Sequence, residues 1–328
     1  MTLDIIVPRY KEPWETGKYL FDTLVPQRGI DFNDIRVILV NDGEEDLLDE
    51  SLFQNYPFKV DYLPKKHEGV SAARNYGLDH ATADYVMFCD FDDGFLNNYG
   101  IHLIFSAAVE GFEMMTSCFI EEVWDADKGK MAIVRHDKDA VFIHGKAYRR
   151  QFLVDNDLRF DPDLTLHEDS YFNHLCMVTA DDQIRDVGTP FYLWRWNDNS
   201  TVRSDREHFV LKTYPMLMKV RMRICEELKK RDFVDAYFTC VCKTVLDSYY
   251  DFNKTEYCDA KNARMTREAE KAFRKFWMQY GDSFNECNMK RIGEIALSSR
   301  MIAYEHGLKL ERFDLRSWLK HIENEVKP

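Results

Sequence analysis

Short apolar runs alternate with helix-compatible segments through the first hundred residues. LDIIVP (3–8), IRVILVND (35–42), 58–63 and DYVMFCD (84–90) read as strands. Between them, residues 14–24 form a polar, helix-compatible stretch and residues 69–80 a helix with small residues. Strands spaced by helices predict an α/β fold with a mainly parallel, doubly wound sheet. Such sheets bind ligands at the carboxyl ends of their strands, where Pro8, Asp42 and Asp90 fall.

From Gly111 to Trp196 the pattern shifts to short strands (114–122, 131–136 and 191–196), with a helix opening at Gly145 and another after His167. An antiparallel extension of the sheet is predicted here. Beyond Asp205 the chain changes to long amphipathic, charged segments, approximately 208–231, 233–250, 266–280, 289–306 and 314–325. The change predicts a boundary near Ser204, with one domain over 1–204 and a helical one over 205–328.

Charge divides at the same place. Residues 1–204 carry 20 basic and 37 acidic side chains, and residues 205–328 carry 24 and 20. An acidic front half disfavours a nucleic-acid backbone, because phosphate contacts need Lys or Arg, and it suits a divalent cation. Acidity also simply keeps proteins soluble. The eight cysteines are scattered without a C-x-x-C, which predicts buried, reduced thiols rather than disulfides or zinc. No run of about eighteen apolar residues occurs, so a soluble chain acting in the cytoplasm, or peripherally at the inner membrane face, is expected.

CDFDDGF places Asp90, Asp92 and Asp93 at the end of an apolar strand, where their oxygens suit Mn²⁺ or Mg²⁺ shared with a diphosphate. Taken alone, D-x-D also arises in acidic loops. VNDG sets Asp42 where a carboxylate can accept from a base NH or a ribose hydroxyl, or simply form an Asn-Asp-Gly turn. HEGVSAARNYG offers Gly69 and Ser71 before a helix presenting Arg74 to a pyrophosphate or ribose, unless Arg74 belongs to an ordinary surface helix. The His167, Glu168, Asp169 triplet opens a helix, where paired carboxylates also suit the macrodipole. Alternation puts Trp194 and Trp196 on one face and Arg195 on the other, compatible with sugar stacking or with core packing.

Taken in order, IIVPRYKE, VILVNDG, HEGVSAARNYGLDHATADYVMFCDFDD and GKAYRRQFLVDNDLRFDPDLTLHEDSYF resemble the family 2 glycosyltransferases, over Leu3 to about Arg203. The resemblance implies a GT-A fold and inverting transfer from a nucleoside-diphosphate sugar, UDP-linked in the first instance, to a saccharide or lipid-linked acceptor. It implies that Pro8, Tyr10 and Glu12 form the nucleobase loop, that Asp42 reads the base and that Arg74 sits by the nucleotide. Asp90 would contact ribose or sugar, Asp92 would ligate the metal and Asp93 would support it. Asp169 would be the base, with Glu168 and His167 beside acceptor or sugar; a base is needed because a sugar hydroxyl must lose its proton as it attacks. Arg195 or Arg203 would neutralise the departing diphosphate, and Trp194 or Trp196 would stack on a sugar.

The chain departs from the family pattern at Arg9, Lys11 and Glu44-Glu45, which bears on nucleotide identity more than on fold. Alternatives are a polyanionic acceptor such as modified DNA, which the basic tail would suit, a non-catalytic nucleotide-sugar-binding module, and a nucleotidyltransferase. The last is disfavoured because PRYKEPWETG contains no G-x-G. Aromatic residues of the tail, 249, 250, 252, 273, 276 and 277, stand at helical spacing, which suits a core better than an acceptor site.

Overall fold

The structure is a computed structural model that describes residues 1–125, 127–198, 208–305 and 314–326. It divides into two compact units, Met1–Asp198 and Asn199–Pro328. Ser204 and Arg203 lie outside the described residues.

The first unit runs β1 (Leu3–Arg9), α1 (Trp14–Leu24), β2 (Ile35–Asp42), β3 (Lys59–Lys65), α2 (Val70–His80), β4 (Tyr85–Phe88), β5 (Gly94–Phe95), α3 (Gly100–Glu110), β6 (Met114–Thr116), β7 (Phe119–Asp125), β8 (Lys130–His136), β9 (Lys146–Arg149), α4 (Arg150–Asp155), α5 (Glu168–Ala180), β10 (Ile184–Asp186) and β11 (Tyr192–Trp194). Among the described residues seven strands form one sheet in the order β10-β6-β9-β4-β1-β2-β3. β1 pairs in parallel with both β2 and β4, and β2 with β3, whereas β9 runs antiparallel between β4 and β6. A smaller sheet, β5-β11-β7-β8, stands beside it.

β1 is buried at every residue, as a strand covered on both faces must be. α1 lays Leu20, Phe21 and Leu24 into one cluster with Ile5, Val7, Val37 and Leu39, each such burial stabilising the fold by roughly 1.5–3 kcal/mol. A Cβ on Gly77 of α2 would sit 2.4 Å from the Ile6 side chain, so glycine is what lets this helix lie directly on β1.

Two sequence expectations need correction. The helix expected to open at Gly145 is a strand first: Gly145 turns the chain at φ +65°, and residues 146–149 spend their backbone groups pairing with β4 and β6 before α4 begins. The single strand expected over 114–122 breaks between Thr116 and Phe119, because Ser117 bonds the Gly145 carbonyl through both its N–H and its hydroxyl. The chain there passes from one sheet to the other.

The second unit comprises α6 (Phe209–Lys230), α7 (Val234–Asp251), α8 (Thr255–Cys258), α9 (Ala263–Glu286), α10 (Met289–Glu305) and α11 (Leu315–Asn324). Tyr249, Tyr250, Phe273, Phe276 and Trp277 are buried, and Trp318 stacks on Phe273, so these stripes build this unit's core. All eight cysteines are free thiols, seven buried and Cys258 exposed. No described helix is long and apolar enough to cross a membrane.

Candidate active site

The order β4-β1-β2 puts the carboxyl ends of these three strands side by side, and the chemistry gathers there. Tyr10, just past β1, is 41% exposed and stacks on His67, with ring centroids 3.9 Å apart and planes 15° from parallel. A cavity of about 350 Å³ opens beside them, lined by Tyr10, Asn41, Gly43, the acidic residues 44–46 and His67 among others. Pro8 pairs with Val40 inside the sheet, beneath this loop.

Arg9 orders the cavity wall. Its buried guanidinium donates to Asn41 Oδ1, to the Asp46 carbonyl and carboxylate, and through Nε to the Glu12 carbonyl. Glu12 accepts from the Tyr10 N–H at 2.7 Å, and burial pushes its carboxyl up. The departure from the family pattern at Arg9 is therefore a structural brace.

Asp42 is 2% exposed and engaged by four donors. Lys65 Nζ and the Glu68 N–H bond Oδ1, while His67 Nδ1 and the Gly69 N–H bond Oδ2, at 2.8–3.0 Å. Burial pushes this carboxyl up, but Lys65 and the Glu68 and Gly69 N–H groups outweigh it and hold the carboxylate below the usual range.

Arg74 joins the remaining motifs. The sequence leaves open that it lies on a surface helix; in the structure it is 2% exposed. Nη2 donates to Asp90 Oδ1 at 2.8 Å, and Nη1 to Glu168 Oε1 at 3.0 Å and Asp169 Oδ1 at 2.8 Å. Burial works against its charge, yet the three carboxylates hold the guanidinium above its ordinary range. Asp90 is likewise pushed up by burial, and Arg74 with His144 brings it below the ordinary range. For Asp169 burial wins over Arg74, and Glu168 and Asp90 add repulsion, pushing its carboxyl up to about 7. The Ile143 N–H supports Asp169 Oδ2. His167 precedes α5 in a left-handed conformation at φ 60°, which histidine tolerates better than most residues and which sends Glu168 and Asp169 into the first helical turn.

The aspartates after β4 separate in role. Asp93 is fully buried, accepting from Tyr192 Oη at 2.6 Å and from the Arg195 N–H at 3.0 Å. His144 Nε2 lies 3.4 Å from Asp90 and 3.6 Å from Asp93, and these three side chains form a group able to hold a metal ion. Asp92 stays outside that group and accepts from Asn197 Nδ2 at 2.7 Å. Burial, with repulsion from neighbouring aspartates, pushes both Asp92 and Asp93 up. The Arg195 guanidinium lies 3.9 Å over the Tyr19 ring and reaches the Asp92 carbonyl. Trp194 packs against Phe142 and His144, whereas Trp196 Nε1 donates to Asp198. His67, His144 and Tyr192 escape sequence reading, because each meets its partner only through residues 25 or more positions away.

Residues 4–122 match the family model described as glycosyl transferase family 2. Over that segment the chain is similar to glycosyl transferase family 2. It is 28% identical over 241 residues to the minor teichoic acid biosynthesis protein GgaA of Bacillus subtilis, covering 65% of this chain and 51% of that one. It is 27% identical over 220 residues to the uncharacterized glycosyltransferase EpsJ of the same organism, covering 60% and 62%. A shorter match, 43% over 67 residues, covers 20% of this chain and 7% of the B. subtilis protein GgaB. The chain thus spans less than two thirds of these relatives' lengths. Among solved structures, S. aureus TarS 1-349 superposes with a TM-score of 0.59 at 15% identity, covering 96% of this chain and 94% of that one. Its complex with UDP-GlcNAc gives 0.61 at 17%. These likenesses, with the mixed sheet and the helical unit, make this a GT-A-like fold followed by helices.

Proposed function

We propose that this chain transfers a glycosyl group from a nucleoside-diphosphate sugar to an acceptor hydroxyl, with inversion at the anomeric carbon. The observation that carries this reading is Arg74, which ties Asp90 at the end of β4 to Glu168 and Asp169 at the head of α5. One cation thus joins the donor side of the cleft to the base side. Asp169, poised at about 7, is suited to accept the acceptor proton near neutral pH, while Asp90 stays ionised for a ribose or sugar hydroxyl. Glu168 and His167 flank the acceptor side. Pro8, Tyr10, Glu12 and Asp42 serve the nucleobase, and Arg195 the diphosphate. Solution of TarS with UDP and with UDP-GlcNAc supports a uridine donor here.

A divalent cation fits this site. Three carboxylates fall within four residues, and the charge of Asp90 disfavours ionisation of both Asp92 and Asp93, a repulsion that Mn²⁺ or Mg²⁺ would relieve. We place it on Asp92, half-buried and open to a diphosphate, with Asp90 beside it; Asp93 and His144, both buried, support it from behind. When bound, the cation would offset charge on the departing diphosphate.

The acceptor is read as a saccharide or lipid-linked saccharide, in keeping with relatives named for teichoic acid biosynthesis. Trp194, packed against Phe142 and His144, belongs more to the local packing than to an open stacking platform. The test is release of UDP from a panel of UDP-sugars with Mn²⁺ and saccharide acceptors. Turnover abolished in Asp169→Asn, with UDP binding retained, supports the assignment, and undiminished turnover in that variant overturns it.

A further inference from the structure

We propose that His67 occupies the place of the nucleobase, so that a nucleotide must displace its ring to bind. This rests on the nucleotide reading above and adds to it a residue that sets donor affinity. The His67 ring has the two contacts a bound base would need: it stacks on the exposed face of Tyr10, and its in-plane Nδ1 donates to Asp42 Oδ2 at 2.8 Å. Rings 3.9 Å apart are already at van der Waals contact, so no base enters between them. The Asp42 carboxylate is closed too, because Lys65 and the Glu68 and Gly69 N–H groups take its remaining positions.

Of these four donors, His67 has the mobility to leave. Its side chain is 49% exposed, whereas Lys65 is 9% exposed and two of the others are backbone groups. The cavity of about 350 Å³ along Gly43 and residues 44–46 gives a nucleoside room to approach the same edge. Lys11 Nζ also lies 4.9 Å from the Tyr10 centroid, so the ammonium is the rival group for a base to displace. In the closed arrangement His67 satisfies Asp42 and shields Tyr10, and affinity is reduced by the fraction of molecules held closed.

Isothermal titration of the intact chain with UDP and Mn²⁺ tests this, comparing wild type with His67→Ala, His67→Phe and Lys11→Ala. His67→Ala should bind UDP roughly three- to tenfold more tightly, the scale of one lost aromatic pair. His67→Phe, which keeps a ring over Tyr10, should gain less than the alanine variant. Weaker or unchanged binding by His67→Ala makes His67 a wall of the pocket and overturns the proposal. Tightening by Lys11→Ala alone likewise overturns it, by placing the base on the ammonium's side. If no form binds UDP, the nucleotide reading itself falls and the proposal with it. Histidine NMR gives a second readout: the His67 ring signal should lose its Tyr10 ring-current shift on saturation with UDP, and a signal that keeps it contradicts displacement.

Discussion

Asp169 Oδ1 accepts from Arg74 Nη1 at 2.8 Å, yet its carboxyl is pushed up to about 7. The guanidinium is shared with Asp90 and Glu168, so its charge is divided among three carboxylates while burial acts on Asp169 in full. On the proposed reading of Asp169 as the base, its carboxyl is poised near the pH where it would work.

Activity should therefore rise with pH through about 7 as Asp169 ionises. Stability should run the other way. A carboxyl whose folded pKa lies above its unfolded value contributes stability that is complete below the ordinary carboxylate pKa and is lost as pH rises through about 7. A kcat/KM profile and urea denaturation across pH 4–8 check both, and an Asp169→Asn variant should lack this part of the stability slope.

Arg74→Ala should destabilise the chain by about 3–5 kcal/mol, because it strands three carboxylates around a buried site. Arg74→Lys should recover only part of that, since one ammonium cannot reproduce the fork that spans Asp90, Glu168 and Asp169. Urea denaturation of the two variants measures the difference, and near-wild-type stability in both would remove Arg74 from the centre of the site.

UDP with Mn²⁺ should raise the melting temperature, by an amount equivalent to about 2.7 kcal/mol when the ligand is at 100 times its Kd. EDTA should remove the metal-dependent share. Asp92→Ala should remove the same share without unfolding the chain, as Asp92 is only half-buried, and a full metal-dependent shift in that variant would move the ligand role to Asp93 and His144.

Thiol titration of the native chain should find about one fast-reacting cysteine, Cys258, the other seven being buried. Guanidinium should release the rest. Several fast thiols in native buffer would show that the chain is looser than its packed cores imply.

The sequence pattern was enough for β1 to β4, α1 and α2, since these are continuous in the chain and their periodicity is local. It failed at Gly145, where the residues after it are held as a strand by β4 and β6, segments about 30 to 60 positions away. The motif residues were legible, but not their relations. That Arg74 is buried among carboxylates, and that His144 stands against Asp90 and Asp93, follows from contacts between segments 16 to 95 positions apart.

The sequence by itself determined the α/β alternation, the helical tail, and which residue types stand at the carboxyl ends of the strands, because hydrophobic period and motif spacing are properties of neighbouring residues. Only the tertiary structure decided which carboxylate is held ionised and which is poised near neutrality, that His67 covers Tyr10 and meets Asp42, and that Asp93 is sealed by Tyr192 and Arg195. Those outcomes depend on burial and on charges brought within a few ångströms from distant parts of the chain, and the strength of such interactions is set by distance and solvent exposure that only the folded chain defines.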